Sequence, residues 1–400
     1  MRKICMVVFN YYDIDSRVKR HAEFIADTGW KVDIIALRSH FSQNISRSSQ
    51  ITVYELPVEK LRGSFLRYIF QYVYFCFLTF FHLSFLHIRN RYDIIQINNL
   101  PDFLVFSALI PKLMGCPILL DMHEITPEFF LSKYSFTRKH PVVRFLTFLE
   151  HLCISFADHV ITVNESIREL LISRGIPSEK ISTILDSADE KLFVPLQYKA
   201  SSLSSTFVLL YHGTLTKLYG IDTAIRAISH LPPEMQDKVE MRIAGEGPEE
   251  AYLKSLVTTL GLNRSVKFLG NHPVDEMPTL INSCDAGICP TSLNELTEYS
   301  LSTKLLEYIY MEKPTIASRL RTYQKYFDDS CLAYFTPGND RECSERIILL
   351  LNNREMRNTL AGNAKKRYET MSWNIVKDLY YTIVSSLSND TAERLKERAS

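Results

Sequence analysis

The 400-residue sequence predicts an α/β protein of two doubly wound parallel sheets, and three observations carry that prediction. Short apolar, β-rich runs alternate with longer helical patterns along the chain. Runs such as Ile4–Phe9 and Phe207–Tyr211 are continuously apolar, as strands covered on both faces by helices are. The rhythm breaks once, between Lys191 and Thr206, where Pro195 precedes the polar, serine-rich run Lys199–Thr206, and then restarts. A chain of this length exceeds one compact core and suits two.

In the first half, strands are expected at Ile4–Phe9, Val32–Leu37, Ile51–Leu56, Ile94–Ile97, Ile118–Leu120, Val160–Val163 and Ile181–Leu185. Helical patterns lie between them at Arg17–Asp27, Phe65–Arg89, Phe103–Met114, Val142–Ala157 and Ser166–Arg174. After the linker, strands are expected at Phe207–Tyr211, Val239–Ile243, Val266–Leu269, Ala286–Cys289, Thr315–Ala317 and Leu332–Phe335. Their helices are Asp222–Ser229, Glu249–Leu260, Asp275–Ser283, Lys304–Met311, Arg341–Leu351 and Arg354–Thr370. A last amphipathic helix runs from Trp373 to about Leu387, and Thr391–Ser400 is a charged tail expected to fray. Residues 1–198 and 206–372 thus form two Rossmann-like domains. The default site of such a pair is the cleft facing the carboxyl ends of the strands.

Composition excludes several classes. A net charge of +1 argues against a nucleic-acid binder. The eight cysteines are scattered and form no CxxC pair, so they read as reduced thiols of a cytosolic protein, with no structural metal. The N-terminus enters a strand at once and shows no leader pattern, so no export is expected.

The segment 62–91 needs separate treatment. No charged residue occurs from Tyr68 to Ile88, ten aromatic residues lie from Phe65 to Phe85, and no acid occurs from Leu61 to Tyr92. Arg62 and Arg67 precede the run; Arg89 and Arg91 follow it. It reads first as a crossover helix packed on a sheet. The second reading is a helix lying in a membrane interface, with arginines on anionic headgroups and the protein peripheral on the inner face of the cell membrane. A true span is the third, and it would break the strand–helix alternation.

The most informative stretch is Ser302-Thr-Lys-Leu-Leu-Glu-Tyr-Ile-Tyr-Met-Glu-Lys-Pro-Thr-Ile-Ala-Ser318. A polar residue opens a short helix whose first turn holds Lys304, with Glu307 one turn in. Free N–H groups at Ser302, Thr303 and Leu305, the helix dipole and Lys304 suit a diphosphate. Glu307 suits a sugar diol. Three further turns follow strands. In Tyr211-His-Gly-Thr-Leu-Thr-Lys217, Gly213 and Thr214 allow close approach and Lys217 can reach a phosphate. In Ile243-Ala-Gly-Glu-Gly-Pro-Glu249, acids oppose phosphate binding, so the corner is mainly structural, with Gly245 or Glu246 brushing a nucleotide. Gly270 and Asn271 end the strand at Val266 and can meet a base edge, or form an ordinary strand exit.

In the first half, Asp121, His123 and Glu124 cluster at a strand's carboxyl end, where a histidine beside two acids points to function over structure. Asn10, Tyr11, Tyr12 and Arg17 leave another strand end and can contact an acceptor. Asp15 or Ser16 in that loop can instead cap the next helix.

Taken in order, these motifs resemble the retaining glycosyltransferases of family 4, surface-polysaccharide type, which have the GT-B fold. "HGTLTKLYGID", "AGEGPEE", "VKFLG", "CDAGICP" and "STKLLEYIYMEKPTIAS" follow its donor domain. "DSRVKRHAEFIADTGWKVDIIAL", "LDMHEITPE" and "ADHVITVNESIRELLISRGIP" resemble its acceptor domain. The resemblance implies that 206–372 binds a UDP- or GDP-sugar and that 1–198 takes a glycan or polyprenyl-linked acceptor. It also implies that 373–389 crosses back to the first domain. Glu307 would hold the ribose, Lys304 and nearby amides the diphosphate, and His123 would sit against the transferred sugar.

Two departures stand out. The first glutamate of the family's pair falls at Tyr299, so Glu298 or Glu295 must replace it. The donor loop carries Lys217 alone, where an arginine and a lysine are usual. The expected activity is hexosyl transfer with retention, driven by Lys217, Lys304 and a helix N-terminus without a metal or other cofactor. A sugar-nucleotide epimerase and a non-catalytic assembly partner at the membrane are the alternatives.

Overall fold

The computed structural model describes residues 1–39, 49–60, 65–134, 136–195 and 206–399; Arg62 and positions 196–205 of the expected linker lie outside the described residues. The chain divides into two compact units, Met1–Asp186 with Val376–Ser400, and Ser187–Ile375.

The first unit runs β1 (Lys3–Val8), α1 (Ser16–Asp27), β2 (Lys31–Leu37), β3 (Ile51–Leu56), α2 (Phe65–Asn90), β4 (Ile94–Asn98), α3 (Leu109–Leu113), β5 (Ile118–Met122), α4 (Thr126–Tyr134), α5 (Pro141–Phe156), β6 (His159–Thr162), α6 (Glu165–Ser173) and β7 (Ile181–Thr183). Its seven strands lie in the order β3-β2-β1-β4-β5-β6-β7, all neighbours parallel. The direction in which strands are added reverses between β1 and β4, where Met6 faces Ile34 on one side and Gln96 on the other. Right-handed crossovers put α2, α3, α5 and α6 on one face of this sheet and α1 on the other. All five residues of β4 are buried, although Gln96 and Asn98 are polar.

The second unit runs β8 (Phe207–His212), α7 (Ile221–Ser229), α8 (Pro233–Gln236), β9 (Val239–Ala244), α9 (Glu250–Thr259), β10 (Val266–Gly270), α10 (Met277–Asn282), β11 (Ala286–Cys289), α11 (Thr303–Tyr310), β12 (Thr315–Ser318), α12 (Arg321–Tyr326), β13 (Ala333–Phe335), α13 (Asp340–Asn352) and α14 (Arg354–Glu369). Its sheet order is β10-β9-β8-β11-β12-β13, again parallel. The reversal lies between β8 and β11, so the loops after these two strands open on one site. The final helix, α15 (Trp373–Ala399), was expected to end near Leu387. Its end is rich in Ala, Glu, Leu, Lys and Arg, which favour helix.

Two further differences have local causes. The pattern read as one helix over Phe103–Met114 is a 3-10 segment, Asp102–Ala108, followed by α3. Pro111 within it has no N–H to donate back, and the preceding turns tighten. No element was expected over α4, although Pro127 and Glu128 in its first turn are helix-start signals. All eight cysteines are free thiols.

Unit one carries a buried charge cluster on α4 and α5. Arg174 bonds the carboxylates of Glu128 and Glu150, both fully buried, and Arg138 approaches Glu128 at 3.3 Å. Glu150 is nonetheless pushed up to about 8, mainly by burial and against the pull of Arg174. Ion-pair geometry and a raised pKa conflict only if both acids are ionised. Burial outweighs the guanidinium at Glu150, so this acid keeps its proton at neutral pH. A carboxyl with a raised folded-state pKa stabilises fully below its unfolded pKa, and that stability is lost as pH rises through the folded value. Wild-type stability should therefore fall by roughly 3 kcal/mol from this group between pH 5 and pH 8. Glu150→Gln should flatten that slope in urea titrations; an unchanged slope would show that Glu150 is ionised.

Candidate functional site

In unit two the site is built on the carboxyl ends of β8 and β11 and the start of α11. Ser302 precedes α11 but its side chain does not cap the helix. The amide of Leu305 bonds the Ser302 carbonyl at 3.1 Å and its side chain is fully buried. Leu305 therefore belongs to the core, and the first-turn amides that can meet a ligand are those of Thr303 and Lys304. Among the described residues Lys304 forms no ion pair, and its Nζ lies 3.5 Å from the centre of the Tyr219 ring. Tyr219 thus holds the ammonium by its π face without neutralising it.

Gly213 follows β8 with φ +116°. A Cβ there would overlap the Lys304 stem, so only glycine lets the lysine cross the loop. Gly245, at φ +144°, is buried, and a Cβ on it would strike the Gly213 carbonyl. Its amide bonds Gly270 O at 2.6 Å. Gly245 and Gly270 thus support the loop from behind. Thr214, Lys217, Glu246 and Asn271 are exposed. Lys217 sits in a single 3-10 turn, Lys217–Tyr219, tied down by Ser292 Oγ donating to its carbonyl at 3.2 Å.

Glu307 lies one turn into α11. His212, the last residue of β8, brings Nε2 to 3.3 Å from Glu307 Oε2. Burial, with the nearby Lys304 charge second, pushes the His212 pKa down to about 3. The ring is neutral, so this contact is not an ion pair. His212 was missed from sequence, though a histidine ending an apolar strand just before a glycine loop was a usable signal. Glu298 and Tyr299 lie half-buried in a 3-10 turn, and Glu295 is exposed beside them.

Unit one places Asp121 at the end of β5, fully buried. Arg17 from α1 bonds both its oxygens, Nε to Oδ2 at 3.0 Å and an Nη to Oδ1 at 2.9 Å, and donates to Ile184 O at 2.9 Å. His21 Nδ1 and His123 Nε2 approach Oδ2 at 3.5 and 3.4 Å. Gln96 donates to Asn98 Oδ1 at 3.0 Å and accepts from Tyr380 Oη of α15 at 2.6 Å. Tyr380 stacks on His21 at 4.2 Å. Burial alone would raise Asp121, but Arg17 and then His123 outweigh it and hold the carboxyl well below the usual range. Burial keeps His21 neutral, whereas Asp121 outweighs burial at His123 and raises it.

Expectations for this half divide. Arg17, Tyr12 and Asp121 were read as acceptor contacts, but all three are buried, and Arg17 and Asp121 bond each other. They position the site. His123 keeps about a fifth of its side chain exposed, at 21%. Its loop is clamped by Asn99, whose Oδ1 accepts from the His123 amide at 2.7 Å and whose amide group donates to Glu124 O at 2.7 Å. Glu124 is half-buried, and burial pushes it up to about 7. Asn10 and Tyr11 stay accessible, with Asn10 bonding Asp15, which caps α1 as the structural alternative had it. Asn99, Gln96, His21 and Tyr380 carried no local signal. Among the described residues no group of three His, Cys, Asp or Glu side chains is arranged to hold a metal ion.

Two family models match the chain, "Glycosyl transferase 4-like domain" over residues 14–185 and "Glycosyl transferases group 1" over 198–367. A curated relative, chitobiosyldiphosphodolichol beta-mannosyltransferase of Candida glabrata, is 22% identical over 93% of this chain and 88% of its own. Among solved structures, sucrose-phosphate synthase from Thermosynechococcus elongatus matches with a TM-score of 0.76 at 16% identity, over 96% of this chain and all of that one (100%). Anabaena HepE in complex with UDP matches with a TM-score of 0.68 at 17% identity, over 99% of this chain and 100% of that one.

Proposed function

We propose that this chain, which belongs to the glycosyltransferases of the GT-B fold, moves a hexose from a nucleoside diphosphate sugar to a lipid-linked glycan with retention at the anomeric carbon. The observation that carries the donor reading is the uncapped start of α11, where an unpaired lysine crosses a glycine loop one turn before a carboxylate. Backbone amides and Lys304 meet the diphosphate, and the exposed Lys217 adds a second charge. Glu307, backed by neutral His212, accepts from the ribose hydroxyls. Glu298, half-buried beside Tyr299, takes the place of the missing first glutamate.

As the bond to the anomeric carbon breaks, negative charge grows on the leaving diphosphate. Fixed N–H groups and an ammonium stabilise it more in the transition state than in the ground state, without a metal. We assign His123, whose imidazole lies beside Asp121, to the transferred sugar. The relative named for a diphosphodolichol-carried substrate and the UDP complex of HepE support a lipid-linked acceptor and a UDP-sugar donor. The work site is the cytoplasmic side of a membrane, in synthesis of cell-surface polysaccharide.

The test is thermal stabilisation by UDP and by GDP with EDTA present. A nucleotide at 100 times its dissociation constant adds about 2.7 kcal/mol. One nucleotide should shift the wild type and leave Glu307→Ala unshifted; the anomeric configuration of the product, read by NMR, then reports retention. No shift with either nucleotide, or a shift that needs a divalent cation, would sink this reading of the donor site.

A further inference from the structure

We infer that the first unit carries a monotopic lipid-binding face formed jointly by α2, α3 and α5. On α2, Phe70, Val73, Phe77, Phe81, Phe85 and Ile88 are each more than half exposed. At 100° per residue they fall within about 120° of the helix circumference. The opposite face is core: Phe75, Thr79 and Leu83 are fully buried. On α5, Phe145 and Phe148 are equally exposed, with Leu152 beside them, and Leu113 of α3 is 75% exposed.

The three helices are one surface. They share a face of the sheet by crossover handedness. Cys76 of α2 contacts the Phe103 carbonyl at 3.8 Å. Phe106, in the same 3-10 segment, packs edge-on against Phe156 of α5 at 5.3 Å. Lys112 of α3 lies over the same Phe156 ring at 5.2 Å. Exposed apolar surface of this extent on helices that pack through shared neighbours marks an interaction site.

Charge selects the occupant. The three helices hold one acid, Glu150, and it is buried. Exposed Arg67, Arg89 and Arg91 frame the ends of α2, and Arg144 sits on α5. Lys133 lies 5.4 Å over the Tyr68 ring near the α2 start. Lys112 is already paired with Asp158 at 2.9 Å. A second copy of this chain would set these arginines against each other, with no exposed acid on the helices to meet them. An anionic bilayer surface complements both the aromatic stripe and its cationic rim. The helix is long and apolar enough to cross a membrane. Crossing would strip Phe75, Thr79 and Leu83 from the core and strain the link to β4, so α2 lies flat.

The experiment is flotation of the full chain with vesicles of phosphatidylcholine, alone or mixed with phosphatidylglycerol. It reads binding without turnover, so its failure leaves the transferase reading untouched. Wild type should float with the mixed vesicles and be released by alkaline carbonate. Phe77→Gln/Phe81→Gln/Phe85→Gln and, separately, Phe145→Gln/Phe148→Gln should each lower partitioning at least about tenfold. Arg67→Ser/Arg89→Ser/Arg91→Ser should remove about as much, and only from the anionic vesicles. These positions are solvent-exposed, and circular dichroism checks that the variants stay folded. Undiminished flotation of either phenylalanine variant overturns the three-helix face. Resistance to carbonate overturns the flat orientation. A dimer that these variants abolish, with no flotation of wild type, assigns the face to a second copy instead.

Discussion

Lys304→Ala should lower the turnover number by roughly a hundredfold to a thousandfold while the protein stays folded. The argument starts from position. Lys304 is in the first turn of α11, its stem passes Gly213 where no Cβ fits, and its ammonium rests on Tyr219. A cation held this way is ordered before substrate arrives, so little reorganisation remains at the moment of bond breaking. Removing one preorganised donor to a developing oxyanion costs about 3–4 kcal/mol of barrier. The folded state loses the cation–π contacts with Tyr219 and, more distantly, Tyr211, about 0.5–1 kcal/mol each at a part-exposed site. Turnover should thus fall far more than the Michaelis constant for the nucleotide sugar rises. Gly213→Ala should mimic the effect, since the added carbon pushes the same stem aside. Wild-type turnover in Lys304→Ala would remove the diphosphate from this helix.

The ease of reading this chain varied with how local the determinants were. The strand Ala286–Cys289 was legible to the residue, because a buried parallel strand is a continuous apolar run bounded by polar turns; the edge strand Ile51–Leu56 was legible from its β-branched and aromatic residues. Lys304, Glu307 and Gly213 were legible for a similar reason: each lies in a strand–turn–helix unit whose pattern is contiguous. The network around Asp121 was not. Its partners are Arg17, His21, Gln96, His123 and Tyr380, drawn from three elements and a loop, and none announces its contact locally. Tyr380 looked like one apolar position of an amphipathic helix until α15 set it against His21. Arg17 and Tyr12 were misassigned because polarity next to a strand end suggests exposure, whereas both are buried. The outward face of α2 was ambiguous for a related reason. A helix apolar all round fits a core, a bilayer surface and a bilayer interior alike, and only burial by position separates them.

Asp121→Ala should destabilise the first unit by about 3–5 kcal/mol, the largest stability change expected of any single substitution in the site. Both partners are out of water: Asp121 is 0% and Arg17 3% exposed. Deleting the carboxylate removes two well-formed bonds and strands a guanidinium that cannot shed its charge. It also leaves His123 and His21 facing that charge with nothing to offset it. The change can be read where it occurs. The chain has two tryptophans, Trp30 in the first unit and Trp373 in the second. In a Trp373→Phe background, fluorescence in urea reports Trp30 alone, and so the first unit. Arg17→Met should cost a similar amount, because it strands the carboxylate instead. Arg17→Met/Asp121→Leu should recover much of the loss, since an apolar pair of similar volume carries no buried charge. Strictly additive losses in the double variant would mean that the two groups do not interact. Recovery of stability without recovery of transfer would show that this ion pair is kept for holding His123, not for holding the fold.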